Sequence, residues 1–420
     1  SVTNDSGAVE ATAVPPEIED ILRVAAEKRT AEQNEKLLRH FVRVAPELAA
    51  ENAAIKKLRD EMPAYSTTLV MAERPATEVR ATHVHKRGEF LQPMETVEPG
   101  IPAVLPQIPG DAPRNRLSFA RWLVDPANPL TGRVTMNRAW GTFFGRGLVR
   151  TPEDFGFQGE PPTHPELLDW LAAEFVKQGW SMKKMHRLIV TSATYRQSSQ
   201  VTPELLAKDP QNRWLARAPR FRIEAELVRD SVLRASGLLS PKIGGPSVFP
   251  PQPPGVTSEG TYGGLAWNVS AGPDRYRRGM YTFAKRTAPY AMFNTFDSPS
   301  GEACVARRDV SNTPLQALTL MNDTVFVEGA QALGTQLARG PGSAEERLTN
   351  LFRRCLVRPP TVDELKLLGE FLARQQERFA KQELDAAKIA GPGDGNPADR
   401  AAWTVVARAL LNLDETITRN

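Results

Sequence analysis

Residues 296–318, FDSPSGEACVARRDVSNTPLQAL, place Asp297, Glu302, Arg307, Arg308, Asn312 and Gln316 close together in the chain. Arginine forks bind carboxylates and phosphates in a planar, two-pronged fashion. Asn312, at an expected helix start with Pro314 in the first turn, adds a helix dipole that favours an anion. The chemistry such a set could do is capture of an anionic or hydroxylated ligand, with Asp297 and Glu302 as candidate acids. The alternative is that the same groups are consumed by buried ion pairs and helix caps, which would staple a long loop to the core.

Two further clusters carry ligand-holding side chains. In TGRVTMNRAWGTFFG, Arg133, Asn137 and Trp140 stand at i, i+4 and i+7 and so share one helical face. Tryptophan beside Arg and Asn suits sugar rings and planar ligands; the competing reading is a core Trp, with the polar pair satisfying loop carbonyls. In RTPEDFGFQGEPPTHPE, Asp154, Glu160 and His164 lie in a Gly/Pro-rich loop. Two carboxylates about 5–10 Å apart could act as acid and base on a glycoside. His164 also falls inside an expected capping box, Thr163 to Glu166, which gives it a structural role. His186 reads as a core histidine. His83 and His85 alternate on an expected strand and face one side, but no third ligand stands near them, so no metal site is expected. P-loop, G-x-S-x-G, H-E-x-x-H and Rossmann glycine patterns are absent from the sequence.

The elements that must position these groups are mostly helical. The 420 residues are 41% hydrophobic and 24% charged, an ordinary globular balance. A net charge of +4 is small for this length and points away from nucleic acid. No apolar run approaches the roughly 18 residues of a membrane span. The first residues have neither the basic nor the apolar region of a signal peptide. Residues 1–64 read as a helical segment whose spacing continues past Pro46. Residues 65–110 read as a small antiparallel β-module with a linker, and 111–420 as a large helical domain, so the fold class expected is mainly α. Gly145 or Gly147 is placed to stop a helix, Ser181 to start one, and Ser343–Glu346 and Thr361–Glu364 form capping boxes. PRFRIEAELVRDSVLRASGLL reads as one amphipathic helix, and Trp403, Val406, Leu410 and Leu413 as one face of the last. Residues 241–279 are rich in Gly and Pro without a clear period, either an ordered binding loop or a packed crossing.

The stretch RLSFARWLVDPANPLTGRVTMNRAWGTFFGRGLVRTPEDFGFQGEPPTHPELLDWLAAEFVKQGWSMKKMHRLIVTSATYRQSS resembles the planctomycete PSD1 domain family (DUF1553). YTFAKRTAPYAMFNTFDSPSGEACVARRDVSNTPLQALTLMND and AAWTVVARALLNLDETITR are similar to its later signatures. The resemblance implies the C-terminal part of an exported protein that also carries a c-type cytochrome domain. It therefore implies an extracytoplasmic location, with that cytochrome domain as partner and haem as cofactor there. This chain contains no C-x-x-C-H, so no covalent haem, and no other cofactor, is expected within it.

In an exported protein Cys304 and Cys355, the two cysteines, pair readily. A bridge closing so long a loop would stabilise by roughly 4 kcal/mol. The other readings are free buried thiols or a reactive Cys304 activated by Arg307 and Arg308. Three functions follow: a module binding a ligand or partner through an Arg, Trp and acid pocket, a carbohydrate-active enzyme using paired carboxylates, or a scaffold. The sequence leaves the question of catalysis open.

Overall fold

The computed structural model describes residues 2–3, 9–10, 14–63, 67–78, 80–253, 255–256 and 267–419. It is mainly α-helical, as expected, with seventeen α-helices and three two-stranded antiparallel sheets among the described residues. The chain divides into two units, Ser1–Val97 and Glu98–Asn420.

In the first unit Thr30 caps the helix Ala31–Val44 in a capping box with Gln33. The helix does not continue past Pro46. A short 3-10 turn, Pro46–Leu48, separates it from the helix Ala49–Asp60, because proline has no N–H to give and its ring crowds the preceding turn. The β-module is a single hairpin, Thr82–His85 against Pro93–Val97, and residues 67–75 form no strand. A register shift between His83 and His85 interrupts the pairing, and the His83 ring lies 3.1 Å from the Met94 carbonyl.

The second unit holds two hydrophobic cores. The larger is organised by the helices Thr324–Arg339 and Pro397–Leu411, with Trp403, Val406 and Leu410 fully buried. These helices approach so closely that a Cβ on Gly334 would fall 2.8 Å from the Thr404 backbone nitrogen. Leu413, expected on the same face, lies beyond the helix end and is exposed. The capping boxes Ser343–Glu346 and Thr361–Glu364 are formed, and Ser181 caps Met182–Thr191. The smaller core gathers the helices Thr131–Phe144, Pro165–Lys177 and Met182–Thr191 around Met136, Trp140, Leu171 and Met185.

The connection between the cores runs through residues 198–222. Phe221–Arg222 form a strand rather than part of a helix, and the helix begins at Ala225. That strand pairs with Thr418–Arg419 at the C-terminus. Arg419 donates to the Phe143 carbonyl and sits 4.0 Å over the Tyr195 ring, so the last strand clasps both cores. Of the 241–279 segment, residues 254 and 257–266 lie outside the described residues. Residues 241–247 are exposed but tied down, since fully buried Arg277 donates to the carbonyls of Lys242, Gly244 and Pro246, and further on Trp267 donates to Pro250.

Candidate functional site

A hollow of about 610 Å³ opens beside Trp140 and Phe144. Its first wall begins at the end of the Thr131–Phe144 helix. Gly145 ends that helix at φ +73°, the left-handed conformation that glycine adopts without strain. A side chain there would also strike the Phe221 ring at 2.9 Å. The following loop is folded back on the helix by Asn137, which is 1% exposed. Asn137 Nδ2 donates to the Val149 carbonyl at 3.0 Å, and the Val149 N–H donates to Asn137 Oδ1 at 2.8 Å. Both ends of one amide are thereby used on one residue, and the loop presents Arg146 and Arg150 to the hollow.

The second wall is the turn 209–217. The buried Asp209 carboxylate accepts from the N–H groups of Arg213 and Trp214, each at 2.8 Å. Arg217, 7% exposed, donates through Nη2 to the carbonyls of Asp209 and Pro210. The turn is thus held by its own side chains and delivers Arg213 and Arg217 to the lining. Arg220, Arg222 and Phe221 continue the wall, and Val310 closes it from the 296–318 segment.

Six arginines therefore line this hollow, and no Asp or Glu does so among the described residues. Arg220 pairs with Asp414 and Arg222 with Asp297, both at 2.5 Å. Among the described residues Arg213 has one carboxylate, Glu160 at 3.9 Å, and Arg150 donates to Gln211 at 2.5 Å and reaches no carboxylate within bonding distance. Burial pulls the Arg150 pKa down first, and the charges of Arg146, Arg213 and Arg307 push it the same way against the opposing pull of Glu160. The guanidinium charges of Arg146, Arg213 and Arg307 around Arg150 make this a region of positive potential. Three lining side chains also hold buried polar atoms without any partner: Asn212 Oδ1, Arg217 Nη1 and Arg222 Nε.

The residues expected to form the site are largely used elsewhere. Asp297 accepts from Arg222 and from the Ser311 N–H and hydroxyl. Burial alone would raise its pKa, but these bonds outweigh it and hold the carboxyl below the usual range. Arg308 makes a two-pronged pair with Glu226, at 2.6 and 3.2 Å. Gln316, buried, donates to the Thr295 carbonyl and the Ser311 hydroxyl. The helix Pro314–Asn322 is capped by Thr313 in a capping box with Gln316, and not by Asn312, which is exposed. Glu302 is exposed and forms no ion pair among the described residues. The crowd of polar groups in 296–318 is chiefly a staple. Its contributions to the hollow are Val310 and the field of exposed Arg307 on Arg150.

Asp154 is spent in a turn, accepting from the Gly156 N–H at 2.6 Å. His164, not Thr163, is the residue preceding the Pro165–Lys177 helix, and it makes no cap bond; Thr163 donates instead to the Leu148 carbonyl. Arg133 pairs with Asp169 at 2.6 Å in a separate, mostly apolar hollow that includes Phe157 and Glu160. Of the Arg133, Asn137, Trp140 stripe, only Trp140 lines the arginine-rich hollow, stacked on Phe144 with ring centroids 4.1 Å apart.

The cysteines form no disulfide. Cys304 sits exposed in its loop, while Cys355 lies in the helix Ala344–Leu356 against the larger core, where burial pushes its thiol up to about 12. That value also removes Cys355 as a nucleophile.

Sequence reasoning missed Arg146, Arg150, Arg213, Arg217, Arg220 and Arg222. A signal existed: NRWLARAPRFR packs four arginines between Asn212 and Arg222, bounded and broken by proline. Its final residues were taken into the helix that follows, which hid the strand and the wall it forms.

A family model described as PSD1, a protein of unknown function (DUF1553), matches residues 115–372. The chain belongs to this family, and the match spans both hollows and the Asp297 staple. No curated protein and no solved structure matches the chain. Among the described residues no helix is long and apolar enough to cross a membrane.

Proposed function

We propose that this chain is a binding module that takes a ligand or partner into the arginine-rich hollow beside Trp140. The observation that carries the reading is the lining itself: six arginines and, among the described residues, no carboxylate in about 610 Å³, a volume in the ordinary range for small-molecule sites, with only Arg220 and Arg222 held closely by carboxylates from outside it. Uncompensated cations in a concave, partly apolar site cost free energy unless something anionic completes them. Enzymatic action on a carbohydrate through paired carboxylates draws no comparable support, since Asp154, Asp297 and Glu160 each have a bonding or charge partner. Resemblance to the PSD1 family supports placing the module outside the cytoplasm, within a longer parent that carries a c-type cytochrome domain as its partner.

The test is a thermal-shift screen of the chain against small anions and neutral sugars, repeated on Leu206→Trp, which puts an indole into the hollow. Binding to the folded state alone raises the midpoint. The expected result is a rise with at least one class of compound that the plug abolishes. A screen in which no shift responds to the plug overturns the reading.

A further inference from the structure

Resting on that reading, we infer that the ligand is a small organic molecule carrying two or more oxyanion groups, phosphate or carboxylate. The charges of the hollow are arranged at two levels of burial. Arg146 and Arg213 are exposed and Arg150 is half-buried, and among the described residues they meet one carboxylate between them, Glu160 at 3.9 Å from Arg213. Arg217 and Arg222 are the buried pair, 7% exposed for Arg217 and 9% for the Arg222 side chain. Among the described residues Arg217 meets no carboxylate and is held by two carbonyls, with Nη1 left over; Arg222 has Asp297 but an unpartnered Nε.

Buried polar atoms without partners are rare in folded proteins, because each costs about 1–3 kcal/mol. Two such donors, Arg217 Nη1 and Arg222 Nε, belong to side chains that line this hollow. One oxyanion can satisfy one guanidinium fork well, through two parallel N–H donors. Arg220 and Arg222 already hold Asp414 and Asp297, so one oxyanion on the buried Arg217 leaves Arg146 and Arg150 without a close counter-charge, and a ligand with two such groups answers both places. The lining also includes the apolar Trp140, Phe144, Val201, Leu206 and Leu215, which suits a ligand with a carbon framework.

The experiment is isothermal titration at low ionic strength with five probes: inorganic phosphate, pyrophosphate, benzoate, benzene-1,3,5-tricarboxylate and the neutral disaccharide cellobiose. Wild type should bind pyrophosphate, the tricarboxylate or both at least tenfold more tightly than the singly substituted probe of the same group. Which of the two leads decides between phosphate and carboxylate. The Arg146→Gln and Arg150→Gln variants change partly exposed side chains and should fold normally by circular dichroism. Each should weaken the preferred probe by about tenfold, the usual worth of one charge-assisted bond, and Leu206→Trp should abolish binding. Equal affinity for single and multiple anions overturns the inference, as does indifference to both arginine variants. Plug-sensitive binding of cellobiose with no anion bound overturns it while leaving the binding-module reading intact. Absence of any plug-sensitive binding overturns both.

Discussion

Replacing Asn137 by alanine strips partners from two backbone groups at once. The Val149 N–H and carbonyl are each bonded to this one amide, at 2.8 and 3.0 Å, and Asn137 is 1% exposed. An unsatisfied buried backbone group costs about 1–3 kcal/mol, so the pair predicts a loss of roughly 2–6 kcal/mol, with the lower end reached if the loop opens to water. Gly147 packs against the same amide so closely that a Cβ would sit 2.6 Å from Asn137 Oδ1, so Gly147→Ala should produce a loss of the same kind. Asn137→Asp keeps an acceptor for the Val149 N–H but turns a carboxylate oxygen on the Val149 carbonyl, and should also destabilise. The assay is urea unfolding followed by far-ultraviolet circular dichroism, together with binding of the preferred anion to the folded variant. Because this loop carries Arg146 and Arg150 into the hollow, affinity should fall along with stability. A loss for Asn137→Ala below about 0.5 kcal/mol, the level of an ordinary surface change, with affinity unaltered, would refute the argument that this amide holds the loop.

Three other outcomes are expected. Gly334→Ala should destabilise by about 3 kcal/mol or more in thermal unfolding, since its Cβ would meet the Thr404 hydroxyl and backbone and the Arg400 carbonyl inside van der Waals distance; a midpoint within a degree of wild type contradicts the close helix crossing. A thiol reagent should titrate Cys304 promptly in the native protein and Cys355 only after denaturation, where two thiols appear without reductant; finding none before reduction contradicts the free-thiol arrangement. The Glu364 carboxyl is held down to about 2, first by its bond to Arg358 and then by the Thr361 cap. A depressed folded pKa stabilises the protein above the unfolded value near 4.5, and that contribution is lost as the pH falls toward 2. Glu364→Gln should therefore flatten the stability profile between pH 4.5 and 2 while changing its slope little above pH 5; an unchanged acid limb refutes the assignment.

Local features were readable before any coordinates. The capping boxes at Ser343–Glu346 and Thr361–Glu364 appear where the spacing placed them, because a cap is decided within one helical turn. The same locality produced the errors at Thr163 and Asn312: in each case a neighbouring residue stood one position nearer to where the chain enters its helix, and tertiary contacts chose between them. Pro46 was read through because the apolar spacing continues on both sides, although proline cannot donate into the preceding turn.

The helical class, the family likeness and most helix starts belong to the amino-acid order, since they rest on periodicity and on bonds between residues three or four apart. Which polar groups remain available is another matter. Asp297 finds Arg222 across 75 residues of chain and Arg308 finds Glu226 across 82, so the acids and cations that looked most like a site are the ones the fold consumes. Arginines dispersed from 146 to 222 converge on one lining, with Arg146, Arg150 and Arg217 lacking a close carboxylate among the described residues, only because a loop, a turn and a short strand close on one hollow. Coulomb energy and hydrogen-bond satisfaction depend on distance through space and on burial, and neither quantity can be measured along the chain.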